Sequence, residues 1–373
     1  MTRKERLMAT LRGETVDRPP VSFYEIGGWK MTPDPSNDFA VWNDPSWRPL
    51  VQLSEEKTDL IRMMKPKWKR ASDNGFNDHL KTDIWREGAS EFTRKTITVA
   101  GRSLISLTRR DADTYTLWTL KHFLSDADDL KAWLQLPEPT VGEPDLSALL
   151  AEEKALGEDG IVMIDMHDPI CDAAGLFSME DYTICAFTEP ELFHKLLKRI
   201  ARRLFAQCEK LSRLFPGRLW RLVGSEYASE PYLPPHLYEE YVVPYTGMMV
   251  RTIQQHGGYA RIHSHGRLRG ILPLITKMNP DGLDPVEPPP QGDMELCEVR
   301  AAIGKDTVLF GNLEAADIEN LPTALFEEKI KRALDEGTQG SGRGFVLMPS
   351  ACPYGREITP LTMANYEAIM RLI

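Results

Sequence analysis

The feature that most constrains the fold is an alternation of short apolar runs, each the length of a buried strand, with longer stretches at helical spacing. Residues 161–165, 219–223, 259–263, 307–311 and 344–348 are such runs. Between them, residues 191–215 place apolar side chains at helical intervals and stop before Pro216-Gly217. Residues 235–256 do the same, with Pro244 predicting a kink. Strands joined through helices run parallel, because each connection must cross back over the sheet. Residues 20–24, 60–63 and 281–284 add three candidates, for eight strands in all. Eight strand–helix units predict an α/β fold, a TIM (β/α)8 barrel with an N-terminal extension. Residues 91–110 alternate around Ala100-Gly101 as a β-hairpin, inserted between the second and third barrel strands. The expected organisation is a single barrel over residues 1–373, with the insertion occupying about 65–155.

Charge narrows the partners. The chain carries 45 basic against 55 acidic residues, a net charge of −10, which disfavours sequence-independent binding to nucleic acid. No apolar run is long enough to span a membrane. The opening residues read as a short amphipathic helix rather than a signal peptide. The five cysteines are odd in number and contain no C-x-x-C pair. Together these predict a reduced, cytoplasmic protein. The stretch Gly340-Ser341-Gly342-Arg343-Gly344 follows a helix and precedes a strand, the wrong order for a dinucleotide-binding loop.

In a barrel of this type chemistry gathers where strands end. The predicted ends supply Tyr24-Glu25, His167-Asp168, Ser225-Glu226-Tyr227, His263-Ser264-His265, Asp284 with Glu287, Asn312, and Ser350-Ala351-Cys352. Residues two apart on a strand face the same side, so the imidazoles of His263 and His265 share one space. With Glu287 and Cys352 at neighbouring exits, two imidazoles, a carboxylate and a thiolate make a tetrahedral zinc set. The alternative is two hydrogen-bonded barrel histidines beside a small apolar cysteine. Tyr24, Trp29, Trp85, Tyr227 and Tyr354 serve either as walls of an apolar pocket or as core.

The stretches Arg3-Lys4-Glu5-Arg6, Leu11-Arg12-Gly13-Glu14, Asp17-Arg18-Pro19-Pro20-Val21, Asp83-Ile84-Trp85, His263-Ser264-His265-Gly266 and Gly311-Asn312 carry a likeness over nearly the whole chain. In order and spacing it resembles the uroporphyrinogen decarboxylase superfamily. That resemblance implies a TIM barrel and one of two chemistries: decarboxylation of a tetrapyrrole's acetate arms, or zinc-dependent methyl transfer involving corrinoids. The decarboxylase branch shows Arg-Gln-Ala-Gly after its first strand and Gly-His-Gly after its last. Here those places read Tyr24-Glu25-Ile26-Gly27-Gly28 and Pro349-Ser350-Ala351-Cys352-Pro353. A polyanionic porphyrinogen needs cations, and Glu25 supplies the opposite charge. The methyltransferase branch is closer, as is the more distantly similar zinc barrel of cobalamin-independent methionine synthase. His263 and Cys352 match their zinc ligands, Glu287 matches the glutamate of the methionine synthase, and His265 stands where a cysteine is usual. The leading expectation is therefore a zinc-dependent methyltransferase that moves a methyl group between a small substrate and a corrinoid or thiol. Its corrinoid rides on a partner protein, Glu226, Asp168 or Tyr227 is the proton donor, and Tyr24, Glu25, Asp83, Trp85, His167 and Asn312 bind substrate. A decarboxylase of a small or aromatic acid, using Asp83, is the second reading, and a non-catalytic binding barrel the third. A homodimer is compatible with all three.

Overall fold

A computed structural model describes residues 1–69, 75–114, 116–340 and 342–373; Ser341 of the glycine-rich stretch lies outside the described residues. Along the chain the strands are β1 (Leu60–Met64), β2 (Lys67–Trp68), β3 (Leu80–Glu87), β4 (Ser90–Val99), β5 (Arg102–Asp111), β6 (Leu117–Lys121) and β7 (Pro144–Asp145). Then follow β8 (Gly160–His167), β9 (Leu219–Val223), β10 (Tyr259–His263), β11 (Gly282–Asp284), β12 (Val308–Leu313) and β13 (Phe345–Pro349). Seven of them form one parallel sheet in the order β1-β8-β9-β10-β11-β12-β13. From β8 onward each strand pairs with the next of the sheet in chain order, as helical crossovers require.

The sheet curls. The segment expected as the first strand lies against both of its ends: Leu347 N donates to Pro20 O (2.9 Å), Ser22 N to Leu347 O (3.0 Å), and Asp59 N to Val21 O (2.7 Å). Val21 is a single parallel bridge to Leu347 rather than a full strand. The predicted 235–256 helix is two helices, Pro235–Tyr241 and Val243–Gln255, broken at Val242 just before Pro244.

Two apolar layers follow from the alternation of side chains along each strand. Even-numbered residues such as Val162, Ile164, Trp220, Leu222 and Ile262 pack outward against the helices. Odd-numbered ones such as Ile61, Met163 and Leu219, joined from β12 by Phe310, make a separate inner cluster. Leu7 and Leu11 join that inner cluster from the helix Arg3–Arg12, four residues apart and so on one face. A capping box of Thr2 and Glu5 starts this helix, and left-handed Gly13 ends it. The N-terminal extension thus seats two leucines in the inner layer.

Between β1 and β8 the expected hairpin is part of a larger sheet. β4 and β5 turn at Ala100-Gly101, both with positive φ, and β3 and β6 flank them in a four-stranded antiparallel sheet. The outer strands escaped the sequence reading because β6 is exposed throughout and β3 is nowhere buried. Without a buried face there is no apolar alternation to detect. Among the described residues no helix is long and apolar enough to cross a membrane.

Candidate functional site

The inner face of the sheet changes character toward the C-terminal ends of its strands. Below are leucine, methionine and phenylalanine; above them lies a layer of buried charge. Strand register places Asp165 beside Arg221, Arg221 beside Arg261, and His263 beside Asp284. Arg221 Nε donates to Asp165 Oδ1 at 2.8 Å, and Arg221 also bonds the Tyr24 hydroxyl. Arg261 Nε lies 2.8 Å from Asp284 Oδ1, an ion contact without an aligned N–H. Its guanidinium also sits 4.7 Å from the centre of the Phe310 ring. Asp284 Oδ2 pairs with His263 Nδ1 at 2.8 Å. Burial would raise the Asp284 carboxyl, but Arg261 and His263 outweigh it and hold it down at about 2. The two arginines are thereby neutralised by carboxylates of the chain itself.

Above this layer stand the two histidines. Their rings meet edge to face, with centroids 4.5 Å apart, and Tyr24 stacks on His263 at 6.1 Å. Burial pushes His263 below the ordinary imidazole value, against the pull of Asp284, so the ring is neutral with Nδ1–H toward the carboxylate. His265 moves the other way. Desolvation lowers it, but the Glu287 hydrogen bond (2.8 Å) and the charges of Glu287, Glu226 and Asp284 raise it overall. Both backbones at the rim are strained: Tyr24 has φ 55° and Val286, a β-branched residue, φ 54°. Such strain persists only where packing dictates it, and here it turns Tyr24 and Glu287 toward the histidines.

Glu226 completes the cluster. It lies in a short 3-10 turn after β9, entered through Gly224 at φ 129°. A Cβ at Gly224 would stand 2.1 Å from the Cys171 Cβ, so only glycine admits this approach. Glu226 Oε2 is buried with no hydrogen-bond partner among the described residues. It acts electrostatically on His265, Tyr227 and Cys171. Tyr227 is pushed up to about 12 by burial and then by those neighbours, so its hydroxyl stays a donor.

Several expected site residues have other duties. Asp168 is fully buried and caps the helix Pro169–Ala174, accepting from Cys171 N (2.9 Å) and Thr246 Oγ1 (3.0 Å). Both of its oxygens thus accept hydrogen bonds, and burial, with Glu226 adding to it, raises the carboxyl to about 7. His167 is anchored to Asp172 (2.8 Å), which also holds Arg203 of the helix Pro190–Leu214. Asn312 lines a neighbouring cavity with Glu314, Asp317, Lys329 and Arg332. Asp83 and Trp85 lie on β3: Asp83 pairs with Lys81 and Arg94, while Trp85 stacks on Phe92 and bonds Glu87. Both residues thus lie on the antiparallel insertion.

The zinc set is not assembled either. Glu287 spends one oxygen on His265 and the other on Gly266 N (2.6 Å). Cys352 is buried, and its thiol is pushed well up by burial, then by Glu25 and Glu319. Its backbone N–H bonds the Glu25 carboxylate, itself raised by burial against the pull of Arg221. Among the described residues no three His, Cys, Asp or Glu side chains gather as a metal would need. Two imidazole Nε2 atoms remain, short of the four donors zinc takes. As arranged, the residues do not fit the ion.

Sequence reasoning missed the buried charge layer. Its signal was present: Arg221 and Arg261 interrupt apolar runs at the inward positions, Arg261 two before His263. An arginine there has to meet a carboxylate, and Asp165 and Asp284 were the candidates.

A solved structure shares this architecture. The structure is similar to a methyltransferase from Methanosarcina mazei at 15% sequence identity and a TM-score of 0.59, covering 100% of this chain and 98% of that one. A likeness to a D-psicose 3-epimerase is slight, at 9% identity and a TM-score of 0.33 over 60% of this chain and 91% of that one. No curated protein matches the sequence. Residues 169–364, more than half the chain and spanning β9 to β13 with their exits, match uroporphyrinogen decarboxylase (URO-D). The chain belongs to the uroporphyrinogen decarboxylase family.

Proposed function

We propose that the chain is a methyltransferase, moving a methyl group between a small neutral or cationic substrate and a corrinoid on a partner protein or a thiol. The observation that carries this reading is the unpaired, buried Oε2 of Glu226, beside Tyr227 and His265. A buried carboxylate oxygen without a partner is costly, and such groups in native sites commonly await a reactant. When a methyl group leaves an ether or amine, the C–O or C–N bond breaks and the remaining atom needs a proton. Glu226 is the group placed to pass that proton on, and the Tyr227 hydroxyl donates a hydrogen bond to the same atom. A corrinoid, when present, supplies the nucleophile that takes the methyl group.

Charge supports the substrate class. Arg221 and Arg261 are matched within the chain, and Glu25, Glu226 and Glu287 occupy the rim, so a polycarboxylate finds few free cations. We read the curled sheet, with the Pro20–Ser22 segment at its seam, as a (β/α)8 barrel whose C-terminal mouth is this site. The test is methyl transfer to free cob(I)alamin from a panel of methyl ethers and methylamines. Glu226→Gln keeps the shape and removes the ionisable group, and should lower the rate on the order of 10²–10⁴-fold with KM little changed. A variant at full rate overturns the role of Glu226. Wild-type protein that releases carbon dioxide from an aromatic acid and transfers no methyl group overturns the methyltransferase reading in favour of a decarboxylase.

A further inference from the structure

Glu226 has a second carboxyl as its neighbour. Asp168 Oδ1 lies so near the turn carrying Glu226 that a Cβ on Gly224 would stand 2.7 Å from it. Glu226 raises the Asp168 carboxyl, and the two together push up Cys171 and Tyr238. The surroundings are dry: Asp168, Tyr182 and Tyr238 are fully buried, and the Tyr182 hydroxyl has no hydrogen-bond partner among the described residues. Four groups face the pair from four elements. They are Cys171 of the helix Pro169–Ala174, Tyr182 of Met179–Thr188, Tyr227 of the 3-10 turn and Tyr238 of Pro235–Tyr241. All four are neutral, with burial the largest cause. The imidazoles that act on the pair are His167 on Asp168 and His265 beside Glu226, and each is bonded to its own carboxylate, Asp172 and Glu287.

The contrast with Asp284 is instructive. That carboxylate is equally buried, but Arg261 and His263 keep it charged. Arg221 and Arg261 are taken by Asp165 and Asp284, so neither neutralises Asp168 or Glu226. Two carboxylates in a site shielded from water cannot both ionise without a large cost.

We propose that Asp168 and Glu226 share one proton, and that this is the proton Glu226 passes to the atom losing its methyl group. The use of the proton rests on the methyltransferase reading; the sharing does not. Asp168 is built to exist in both forms. Cys171 N–H fixes Oδ1 as an acceptor, while Oδ2 meets the Thr246 hydroxyl, which can donate to a carboxylate or turn and accept from a carboxylic acid. When the C–O or C–N bond breaks, its electron pair stays on the oxygen or nitrogen and takes the proton from Glu226. The methyl group goes to the corrinoid or thiol, the proton stored on Asp168 moves to Glu226, and water at the mouth reloads the pair. Asp168 thus acts through Glu226, as a positioning residue for its proton.

Infrared difference spectra of the full chain, titrated from about pH 5 to about pH 9, read the shared proton without turnover. The wild type should lose one buried carboxylic-acid band that Asp168→Asn lacks. In Glu226→Gln the midpoint of that band should fall by about one pH unit or more, because the like charge is gone. Circular dichroism checks both folds. A wild type without such a band, or a midpoint that ignores Glu226→Gln, overturns the sharing. The pH profile of methyl transfer then tests the use. Asp168→Asn should move the falling alkaline limb of kcat to lower pH by about one unit or more, a loss of ~10-fold on that limb. A purely structural role for Asp168 lowers kcat equally at every pH, and that result overturns the use of the proton. A protein that shows the band and transfers no methyl group overturns the methyltransferase reading and upholds the shared proton.

Discussion

Asp284 is where stability and site geometry meet, and its removal can be worked through in some detail. The side chain is fully buried and serves two partners, Arg261 and His263, both buried. Asp284→Ala strands the Arg261 guanidinium against Phe310 with no carboxylate, and frees the His263 ring from its Nδ1 acceptor. Breaking a buried ion pair from one side costs about 3–5 kcal/mol, because the surviving charge stays desolvated. Urea unfolding followed by fluorescence should show a loss of that size. Arg261→Met in the same background should recover part of it, with a coupling of about 2 kcal/mol or more across the double-mutant cycle. The pH dependence gives a second check. The folded carboxyl is held at about 2, below its unfolded value, so its stabilisation is complete above the unfolded value and lost as pH falls toward 2. The shift corresponds to roughly 2 kcal/mol, and Asp284→Asn should flatten the acid limb of the stability curve by that amount. A loss under about 1 kcal/mol, additive single variants, or an unchanged acid limb would refute the idea that this layer is held by its charge pairing.

Asp168 has the opposite linkage. Its carboxyl is raised to about 7, so its ionisation costs stability as pH rises from the unfolded value to 7. Asp168→Asn keeps a capping oxygen, and should gain on the wild type between pH 5 and pH 8 in urea titrations; a difference independent of pH contradicts this. Cys352 should resist iodoacetamide in the native protein with or without a chelator, since burial rather than a metal shields it. A thiol that becomes reactive only after chelation, in a protein that purifies with zinc, would instead show that His263, His265 and Cys352 do close on the metal.

Much of this protein can be read from one chain because periodicity is local. Short apolar runs separated by helical stretches state a parallel sheet, and its seven strands are those predicted, in order. The Ala100-Gly101 pair placed the β4–β5 turn, and the two-residue spacing of His263 and His265 put both rings in one place. What the sequence by itself did not decide is who partners whom. Tyr24 and Arg221 are 197 residues apart, and His265 and Glu287 are 22 apart. These meetings depend on strand register and on the curl that brings the Pro20–Ser22 segment between β13 and β1. Glu287 had the spacing of a metal ligand, but the rim geometry gives both of its oxygens to protein donors. Cys352 sits at the right strand exit, yet Glu25 is its neighbour. Spacing lists which groups can reach one another. Which of them do, and at what protonation, was decided by the buried environment, where each charge must find a partner or be pushed toward its neutral form.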